Sequence, residues 1–365
     1  MYTPLTRDFL LSRGYCCHND CQNCPYIACN SKNTQYVKSM AIILKSKSIY
    51  YNDVNLIAQP SAVNTRSEIP RELSRIIISP MEAVVGETFA KEADRLGLTI
   101  CLHRFCDVEK QIEIYKQLNN KENVFVSVGA NDIQRVKRLA MEGVSNFLID
   151  IANGYLPNLK AIMFEIRENA DVKKIMVGNV MTKDGYWNAL TLNNDTFVRV
   201  GIAGGSACST SDATGYNRGQ ITEIMEVREV KDKMAENGYS NYIIADGGVK
   251  NGNYAAKAFG AGADYVMMGG YFARALEAET HIIGDGTYWG GASTKQQERY
   301  GGIKKHSEGK VYKVEDKLQP LSKLVDDLWG GLSSAVSYSG YKTLSEFLGN
   351  GIFEIKENSL PPSNR

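Results

Sequence analysis

The feature that most constrains the fold is a regular alternation of short apolar runs with amphipathic segments after residue 70. The intervening stretches, such as 86–96, 132–142 and 254–260, repeat apolar residues at helical spacing, so the order is strand then helix, eight times. Such a chain closes most simply into a (β/α)8 barrel of the α/β class, a TIM barrel. The predicted strands are Ile76–Ile78, Thr99–Leu102, Val124–Val128, Phe147–Ile151, Lys174–Val177, Phe197–Val200, Tyr242–Ala245 and Tyr265–Met268.

A doubly wound open sheet is the alternative arrangement of alternating strands and helices. It would normally contain fewer strands and a glycine-rich turn after the first one, whereas the first predicted strand is followed by SPMEAVVG. At 365 residues the chain has the length of one barrel with an appendage. We therefore expect a barrel domain at 46–350, a small Cys-rich segment at 1–45 and a partly disordered tail at 351–365.

Charge and hydropathy restrict the class of partner. Lys and Arg total 42 against 41 for Asp and Glu, so the chain carries no basic field to hold a nucleic-acid backbone. No stretch approaches the roughly 18 apolar residues of a membrane span, and the N-terminus MYTPLTRDFLLSRGY lacks the apolar core of a signal peptide. These features predict a soluble cytoplasmic protein with no membrane or nucleic-acid partner.

Five of the eight cysteines lie close together near the N-terminus. Their spacing includes a CxxC pair, which lets two thiolates reach one tetrahedral metal ion, and a reducing cytoplasm disfavours disulfides. Two interpretations stay open: bound zinc or an iron–sulfur cluster, or reduced and packed thiols. Residues 14–26 resemble an uncharacterised Cys-rich segment of bacterial proteins. The cysteines are Cys16, Cys17, Cys21, Cys24 and Cys29.

Functional side chains of a (β/α)8 barrel lie just after the strands, at the C-terminal face. Polar residues and glycines gather at these positions of the sequence. Taken singly, each could be a turn or a helix cap, but together they predict one site. They are Ser79, Glu82, His103, Arg104, Asp150, Asn153, Gly178, Asn179, 204–208, 246–248, Gly269 and Gly270.

Two of these loops predict a phosphate site. The DGG of 246–248 and the GG of 269–270 expose backbone N–H groups beside helix N-termini, as in the phosphate site of barrel loops 7 and 8. Asp246 would repel a phosphate, so it is better suited to accept hydrogen bonds from a vicinal diol such as a ribose. This combination favours a nucleotide over a simple sugar phosphate.

The loop after the sixth strand, GIAGGSACSTSDATG from Gly201, places Cys208 among small residues. A free cysteine is usually a small buried hydrophobic residue. Glycines and hydroxyl residues around it at a barrel mouth instead favour a nucleophile that a ligand can approach closely. Cys101 and Cys106 lack such surroundings and are predicted to lie in the core or behind the site.

The motifs GGSACST, DGG, GAGADYVMMGG and WGGAS…SEGK together resemble the IMP dehydrogenase and GMP reductase superfamily. The resemblance extends from about Tyr50 to Leu348. No regulatory insertion interrupts the barrel, and the segment between Gly291 and Glu308 is too short for the mobile flap of the dehydrogenases. Both features are more similar to the reductases.

This resemblance implies a guanine nucleotide as substrate, GMP or a relative such as dGMP, and NADPH as reductant. Cys208 would form a thioimidate at purine C2, ammonia would leave, and hydride would reach the same carbon. Thr210 with Glu308 matches the pair that manages the proton on the leaving nitrogen. Substrate contacts are implied at Ser206, Asp246, Gly247, Gly248, Gly269, Gly270, Gly290, Gly291, Ala292, Ser307 and Gly309.

The cofactor site and assembly are implied in the same way. A monovalent cation such as K⁺ would lie on the backbone carbonyls of Ala203, Gly205, Cys208 and Ser211. A homotetramer is expected, because part of the cofactor site comes from a neighbouring subunit. Cofactor positions match at Arg104, Asp150, Ile151, Ala152, Ile202 and Ala203 and, from the neighbour, at Thr65, Arg66, Ser334 and Ser337.

Several positions depart from the family pattern. Glu82 and Arg104 stand where the family has aspartate and lysine, Ala203 precedes the Gly204–Gly205 pair, and 305–306 replace an arginine. These changes cluster where base and cofactor are recognised, so the exact substrate and the choice of NADPH or NADH stay open. An IMP dehydrogenase-like oxidation and a noncatalytic nucleotide-binding protein are the alternatives.

Overall fold

The computed structural model describes residues 47–156, 159–190, 195–299, 309–314 and 317–356. From Ser48 onward the chain forms one compact unit. The predicted Cys-rich segment and its five cysteines lie outside the described residues, as do Ser307, Glu308 and the end of the tail at 357–365.

Eight parallel strands close into a barrel, each hydrogen-bonded to its neighbours in sequence and the last paired with the first. This confirms the predicted (β/α)8 architecture. The strands of the chain are β1 (Val54–Leu56), β2 (Ile76–Ile78), β3 (Thr99–Leu102), β4 (Val124–Val128), β5 (Asn146–Ile149), β6 (Lys174–Val180), β7 (Asp195–Val200), β8 (Asn241–Asp246), β9 (Tyr265–Met268), β10 (Thr287–Trp289), β11 (Val311–Lys313) and β12 (Phe353–Ile355). Strands β2 to β9 form the barrel.

Helices connect the barrel strands, as the helical spacing of apolar residues predicts. The first begins after Gly86 and ends at Gly97, whose positive φ of 79° suits a glycine at a helix C-terminus. The helices are α1 (Glu87–Leu96), α2 (Val108–Gln117), α3 (Ile133–Ala140), α4 (Leu159–Asn169), α5 (Lys183–Ala189), α6 (Thr210–Thr214), α7 (Gln220–Glu236), α8 (Gly252–Ala261), α9 (Glu279–Ile282), α10 (Thr294–Arg299), α11 (Leu321–Tyr338) and α12 (Leu344–Phe347). Among the residues described, no helix combines the length and apolar character needed to cross a membrane.

The barrel interior is filled by one buried side chain from each of its strands. Because side chains alternate along a strand, their neighbours point outward and pack under the helices. Cys101 is one of the interior residues and is completely buried, which confirms its predicted place in the core. The interior residues are Ile77, Cys101, Phe125, Leu148, Met176, Phe197, Ile244 and Met267.

Two features of the strand pattern differ from expectation. β5 ends at Ile149 instead of Ile151, and the next residue, Asp150, forms an ion pair with Arg199. The first residues after 350 are not all loop: β12 pairs antiparallel with β1, and Lys356 N donates to Asp53 O at 2.8 Å. The β10–β11 hairpin joins Thr287–Trp289 to Val311–Lys313 beside the C-terminal face.

Candidate active site

Cys208 lies in the loop between β7 and α6, where the sequence places it. Its Sγ is 3.1 Å from Oγ1 of Thr210, so the two described members of the predicted catalytic set are in contact. The loop is turned tightly, because Cys208 N donates to Gly205 O at 3.0 Å. A thiol and a hydroxyl thus lie side by side at the mouth of the barrel.

The Cys208 loop is joined to the segment that precedes β11. Gly309 forms an antiparallel bridge with Cys208 and a parallel bridge with Ser293. A Cβ atom on Gly309 would lie 2.6 Å from Ser293 N, and one on Gly290 would lie 2.7 Å from Ala207 O. Only glycine permits these backbones to meet, and Gly290 and Gly309, two of the positions predicted to contact the base, lie against the cysteine loop.

Hydroxyl groups surround the predicted phosphate-binding glycines. A Cβ atom on Gly270 would lie 2.6 Å from Ser206 Oγ, and one on Gly269 would lie 2.5 Å from Tyr288 Oη. Tyr312 donates its hydroxyl to Ser206 Oγ at 2.9 Å, and its ring packs edge-on against Tyr288. Both tyrosines come from the β10–β11 hairpin and were missed, because nothing local in the sequence shows that these strands pair.

Gly247 and Gly248 belong to the same predicted phosphate site. We call this site the phosphate cradle; it consists of Ser206, Gly247, Gly248, Gly269, Gly270, Tyr288 and Tyr312. Gly247 and Gly248 have φ values of 94° and 73°, which side chains other than glycine rarely adopt. A Cβ atom on Gly247 would also lie 2.8 Å from the carbonyl carbon of Gly204. The DGG loop therefore packs directly on the glycines that precede Cys208, in the same loop as Ser206.

A chain of charged groups runs across the barrel mouth from Asp246. The Asp246 carboxylate accepts from Asn179 Nδ2 at 2.7 Å and from Arg199 Nε at 2.8 Å. Arg199 also binds Asp150 at 3.2 Å, and Asp150 lies 3.5 Å from Arg104. The predicted ribose carboxylate and the predicted cofactor carboxylate are thus linked through one guanidinium.

Arg199 is ionised and shared between two acids. Burial alone would lower the pKa of its guanidinium, but the carboxylates of Asp246 and Asp150 outweigh that cost and raise the pKa above its usual value. Asn179 was predicted from the sequence to lie in the site without a specific role, and Arg199 was missed. The sequence did contain a signal for Arg199: it is a charged residue inside the apolar strand FVRV. A charged side chain buried in a strand needs a partner of opposite charge, so a functional or structural ion pair could have been predicted there.

Residues 48–360 match the family described as the IMP dehydrogenase / GMP reductase domain. The chain belongs to this family. Among its curated relatives are GMP reductases of Vibrio atlanticus (strain LGP32) and Yersinia enterocolitica, each 30% identical over 81% of this chain and 91% of the relative. A GMP reductase of Onchocerca volvulus is 29% identical over 74% of this chain and 77% of the relative. Residues 2–30 match a family of unknown function (DUF5522).

Two of the positions that depart from the family pattern, Glu82 and Arg104, make specific contacts, while residues 305–306 lie outside the described residues. Glu82 accepts from Gln296 Nε2 at 2.8 Å and from Arg299 at 2.7 Å, so it is held by α10. The Arg104 guanidinium lies 4.8 Å from the Phe105 ring centroid. That ring in turn lies 3.3 Å from the place where Gly291 would carry a Cβ atom.

His103 lies behind this group and is buried. Burial lowers the pKa of its imidazole to about 4, despite the nearby carboxylates of Glu82 and Asp150. Its Nδ1 accepts from Phe105 N at 3.2 Å, so one ring nitrogen carries no proton. The histidine is therefore neutral at neutral pH.

The family positions for the distal part of a cofactor come together within one chain. Arg66, in a short 3-10 turn that follows Thr65, donates to Ser334 Oγ on α11 at 3.4 Å. Ser337 is one turn further along the same helix and is buried. These residues form one patch, and the contribution of that patch to a neighbouring subunit stays a prediction.

The remaining positions implied for the cofactor and the cation follow strands β5 and β7 in the chain. Ile151, Ala152 and Ile202 lie in loops after β5 and β7, and Ala203 has a positive φ of 66°. Of the carbonyls expected to hold a cation, that of Gly205 accepts from Cys208 N and that of Ser211 accepts from Gly215 N at 2.9 Å. Each carbonyl retains a second lone pair. Within the described ranges, no group of three or more His, Cys, Asp or Glu residues is arranged to hold a metal ion.

Proposed function

We propose that this protein is a GMP reductase, which converts a guanine nucleotide to the inosine nucleotide and ammonia with NADPH. The observation that carries the proposal is the contact between Cys208 and Thr210 beside the glycine and hydroxyl cradle. The curated relatives that share most of the chain's length bear the same name.

Each part of the nucleotide is assigned to hydrogen-bonding groups at the barrel mouth. The phosphate is bound by the hydroxyls of Ser206, Tyr288 and Tyr312 and by amides of Gly247–Gly248 and 269–270. The ribose binds Asp246, whose carboxylate is held in place by Asn179 and Arg199. The base then extends toward Cys208 between the loops of Gly290–Ala292 and Gly309.

The first chemical step removes the amino group. The Cys208 thiolate adds to purine C2, a C–S bond forms, and the C2–N bond breaks to leave a thioimidate. The leaving nitrogen must gain a proton, and Thr210 is placed beside the thiol to relay one from Glu308. Glu308 directly precedes Gly309 in the sequence, and Gly309 is bridged to Cys208.

The second step reduces the same carbon. Hydride adds to C2, the C–S bond breaks, and the thiolate is released with the inosine nucleotide. One hydride and two protons are consumed, and ammonia leaves as ammonium. The two steps share one carbon, so the fixed position of Cys208 in its turn serves both.

The residues present fit a nicotinamide dinucleotide. The Asp150 carboxylate suits a ribose diol, and the Arg104 guanidinium, one third exposed in its side chain, suits a phosphate group. Arg104 follows β3 and Asp150 follows β5, and Arg199 links Asp150 to Asp246. When bound, the cofactor supplies the hydride. The patch of Thr65, Arg66, Ser334 and Ser337 would bind its distal end across a subunit interface in a homotetramer.

The decisive experiment incubates purified protein with GMP, dGMP, IMP and dIMP and with each nicotinamide cofactor, following reduced-nicotinamide absorbance. Consumption of NADPH with GMP or dGMP and release of ammonia are expected. Cys208→Ala should lose at least about 10³-fold in turnover while nucleotide affinity persists, because only the nucleophile is removed. NAD reduction with IMP alone, or turnover by Cys208→Ala near that of the wild type, would refute the assignment.

A further inference from the structure

Four buried side-chain oxygens behind the phosphate-binding glycines have no hydrogen-bond partner among the described residues. They are Tyr51 Oη, Gln220 Oε1 and both carboxylate oxygens of Glu223. Tyr51 is 5% exposed, Gln220 is 6% exposed and Glu223 is completely buried. Buried polar atoms are nearly always paired, so oxygens left unpaired in one region indicate an ion or water that the protein binds there.

The three side chains converge from two directions. Gln220 and Glu223 lie in the first turn of α7, three residues apart and therefore on the same side of the helix. The Cβ position of Gly248 lies 3.5 Å from Gln220 Oε1 and 3.7 Å from the Tyr51 ring. The Tyr51 hydroxyl also lies close enough to Glu223 for that carboxylate to raise the tyrosine's pKa, after the larger effect of burial.

The protein cations near this cluster are already bound to other groups. Arg218 forms a bidentate pair with Glu226 and also donates to Met181 O at 3.0 Å. Lys257 Nζ donates to the backbone carbonyl of Tyr51 at 2.9 Å. The amide nitrogen of Gln220 donates to Asp246 O, which leaves only its oxygen facing the cluster. Within the part of the chain that the structure describes, Glu223 therefore has no ion-pair partner, and burying an ionised carboxylate in that way is costly.

We propose that Tyr51, Gln220 and Glu223 bind a monovalent cation directly behind Gly248. The ligands are all oxygens, which hard cations prefer. One carboxylate faces the cluster, so a single positive charge neutralises it, whereas a divalent ion would leave excess charge. Na⁺, K⁺ and NH₄⁺ share this chemistry.

The site would connect cation binding to the nucleotide loops. Gln220 touches the cluster through Oε1 and holds the backbone of Asp246 through Nε2. Gly248 follows Asp246 by two residues and lies against Gln220 and Tyr51. The site is separate from the carbonyl cation site predicted around Cys208, because its ligands are side chains of α7 and of the 3-10 turn at Tyr51–Asp53.

Thermal unfolding in matched ionic strengths of choline, NaCl, KCl and NH₄Cl tests the proposal and ranks the three cations. The preferred ion, at a concentration near 100 times its Kd, should raise the Tm of the wild type by roughly 3–6 °C relative to choline. Glu223→Gln keeps the shape and removes the charge, so it should abolish most of that rise. Glu229→Gln is the matched control: it lies on the same helix but is exposed and paired with Lys183, so its response to the ions should match that of the wild type.

Crystals soaked in Rb⁺ or Tl⁺ give a readout that does not depend on a variant folding. Anomalous density among Tyr51, Gln220 and Glu223 is expected, distinct from any peak at the Cys208 loop, and it should disappear in Glu223→Gln. Equal Tm values in choline and in all three salts, with a water and no anomalous peak at the cluster, would overturn the proposal. That result would mean that Glu223 is a neutral acid hydrogen-bonded to water.

Discussion

The two sides of the barrel mouth are built differently. One side, built from the loops after β7, β8 and β9 and from β11, presents glycine backbone and uncharged hydroxyls: Gly247 packs on Gly204, and Ser206 and Tyr312 meet beside Gly270. The other side consists of charged side chains: Arg104 after β3 and Asp150 after β5 are linked through Arg199 to Asp246 at the end of β8. The glycine side is held together by close packing of backbone, and the charged side by neutralisation of each charged group by its neighbours.

This difference implies different responses to substitution. On the glycine side a single methyl group collides with fixed backbone, but the loss of one hydroxyl leaves the other donors in place. On the charged side every group neutralises its neighbours, so removal of one member leaves others buried and unpaired. The largest effects should therefore come from the charged side.

Arg199→Met should have the largest effect on stability. It leaves Asp150 and Asp246 close together without the cation between them, so we expect a loss of about 3–5 kcal/mol in the free energy of unfolding. The KM values for nucleotide and cofactor should rise together, because both carboxylates move. Urea denaturation and steady-state kinetics measure the two effects.

The matched control is Lys323→Met. Lys323 pairs with Asp327 on an exposed face of α11, where an ion pair contributes little. If Arg199→Met lowers the free energy of unfolding no more than Lys323→Met does, Arg199 does not hold the carboxylates of Asp150 and Asp246 in place. That result would remove the contrast between the two sides.

The barrel was predictable from the sequence because its signal is local. Four of the eight predicted strands, such as Thr99–Leu102, have the observed bounds, and the glycines of the phosphate cradle follow strands where the fold requires them. The nearness of Cys208 and Thr210 was also predictable, since a single residue separates them in the sequence.

The charged chain and the hydroxyl cradle were less predictable because each is assembled from distant segments. Arg199 joins acids that lie 49 and 47 residues away in sequence. Tyr312 reaches Ser206 across 106 residues, through a hairpin that no local pattern marks. Such contacts follow from strand order around the barrel and from pairing of β10 with β11, not from spacing in the sequence.

His103 tests the charged side through pH. Burial holds the pKa of its imidazole at about 4, below the ordinary value of 6.5, so the unfolded chain takes up a proton first as pH falls. Its contribution to stability is present above pH 6.5 and is lost as the pH falls toward 4, about 3 kcal/mol in all. His103→Gln cannot take up that proton, so its stability should decline less between pH 7 and pH 4.5. Parallel stability–pH curves for the two proteins would show that His103 is not buried as a neutral ring.

Gly247→Ala tests the glycine side. The new methyl group would lie 2.8 Å from backbone of Gly204 and would force a φ of 94°, so we expect a loss of about 2 kcal/mol and a higher KM for nucleotide. Gly97→Ala is the control, because Gly97 has a similar φ of 79° and nothing within 4 Å. The control should lose about 1 kcal/mol without a change in KM. Equal effects at both glycines would mean that backbone conformation, and not contact between the two loops, limits position 247.

Tyr312→Phe should have the smallest effect and most directly tests the hydroxyl cradle. It removes one donor from a group that includes Ser206, Tyr288 and backbone amides, so the loss should be about 1 kcal/mol, or a roughly fivefold higher KM for GMP with kcat nearly unchanged. Guanosine, which lacks the phosphate, should bind the variant and the wild type equally. Tyr239→Phe removes a hydroxyl just before β8, at the opposite end of the barrel, and should change neither value. An equal loss of affinity for guanosine and GMP would place the Tyr312 hydroxyl at the base or ribose and not at the phosphate.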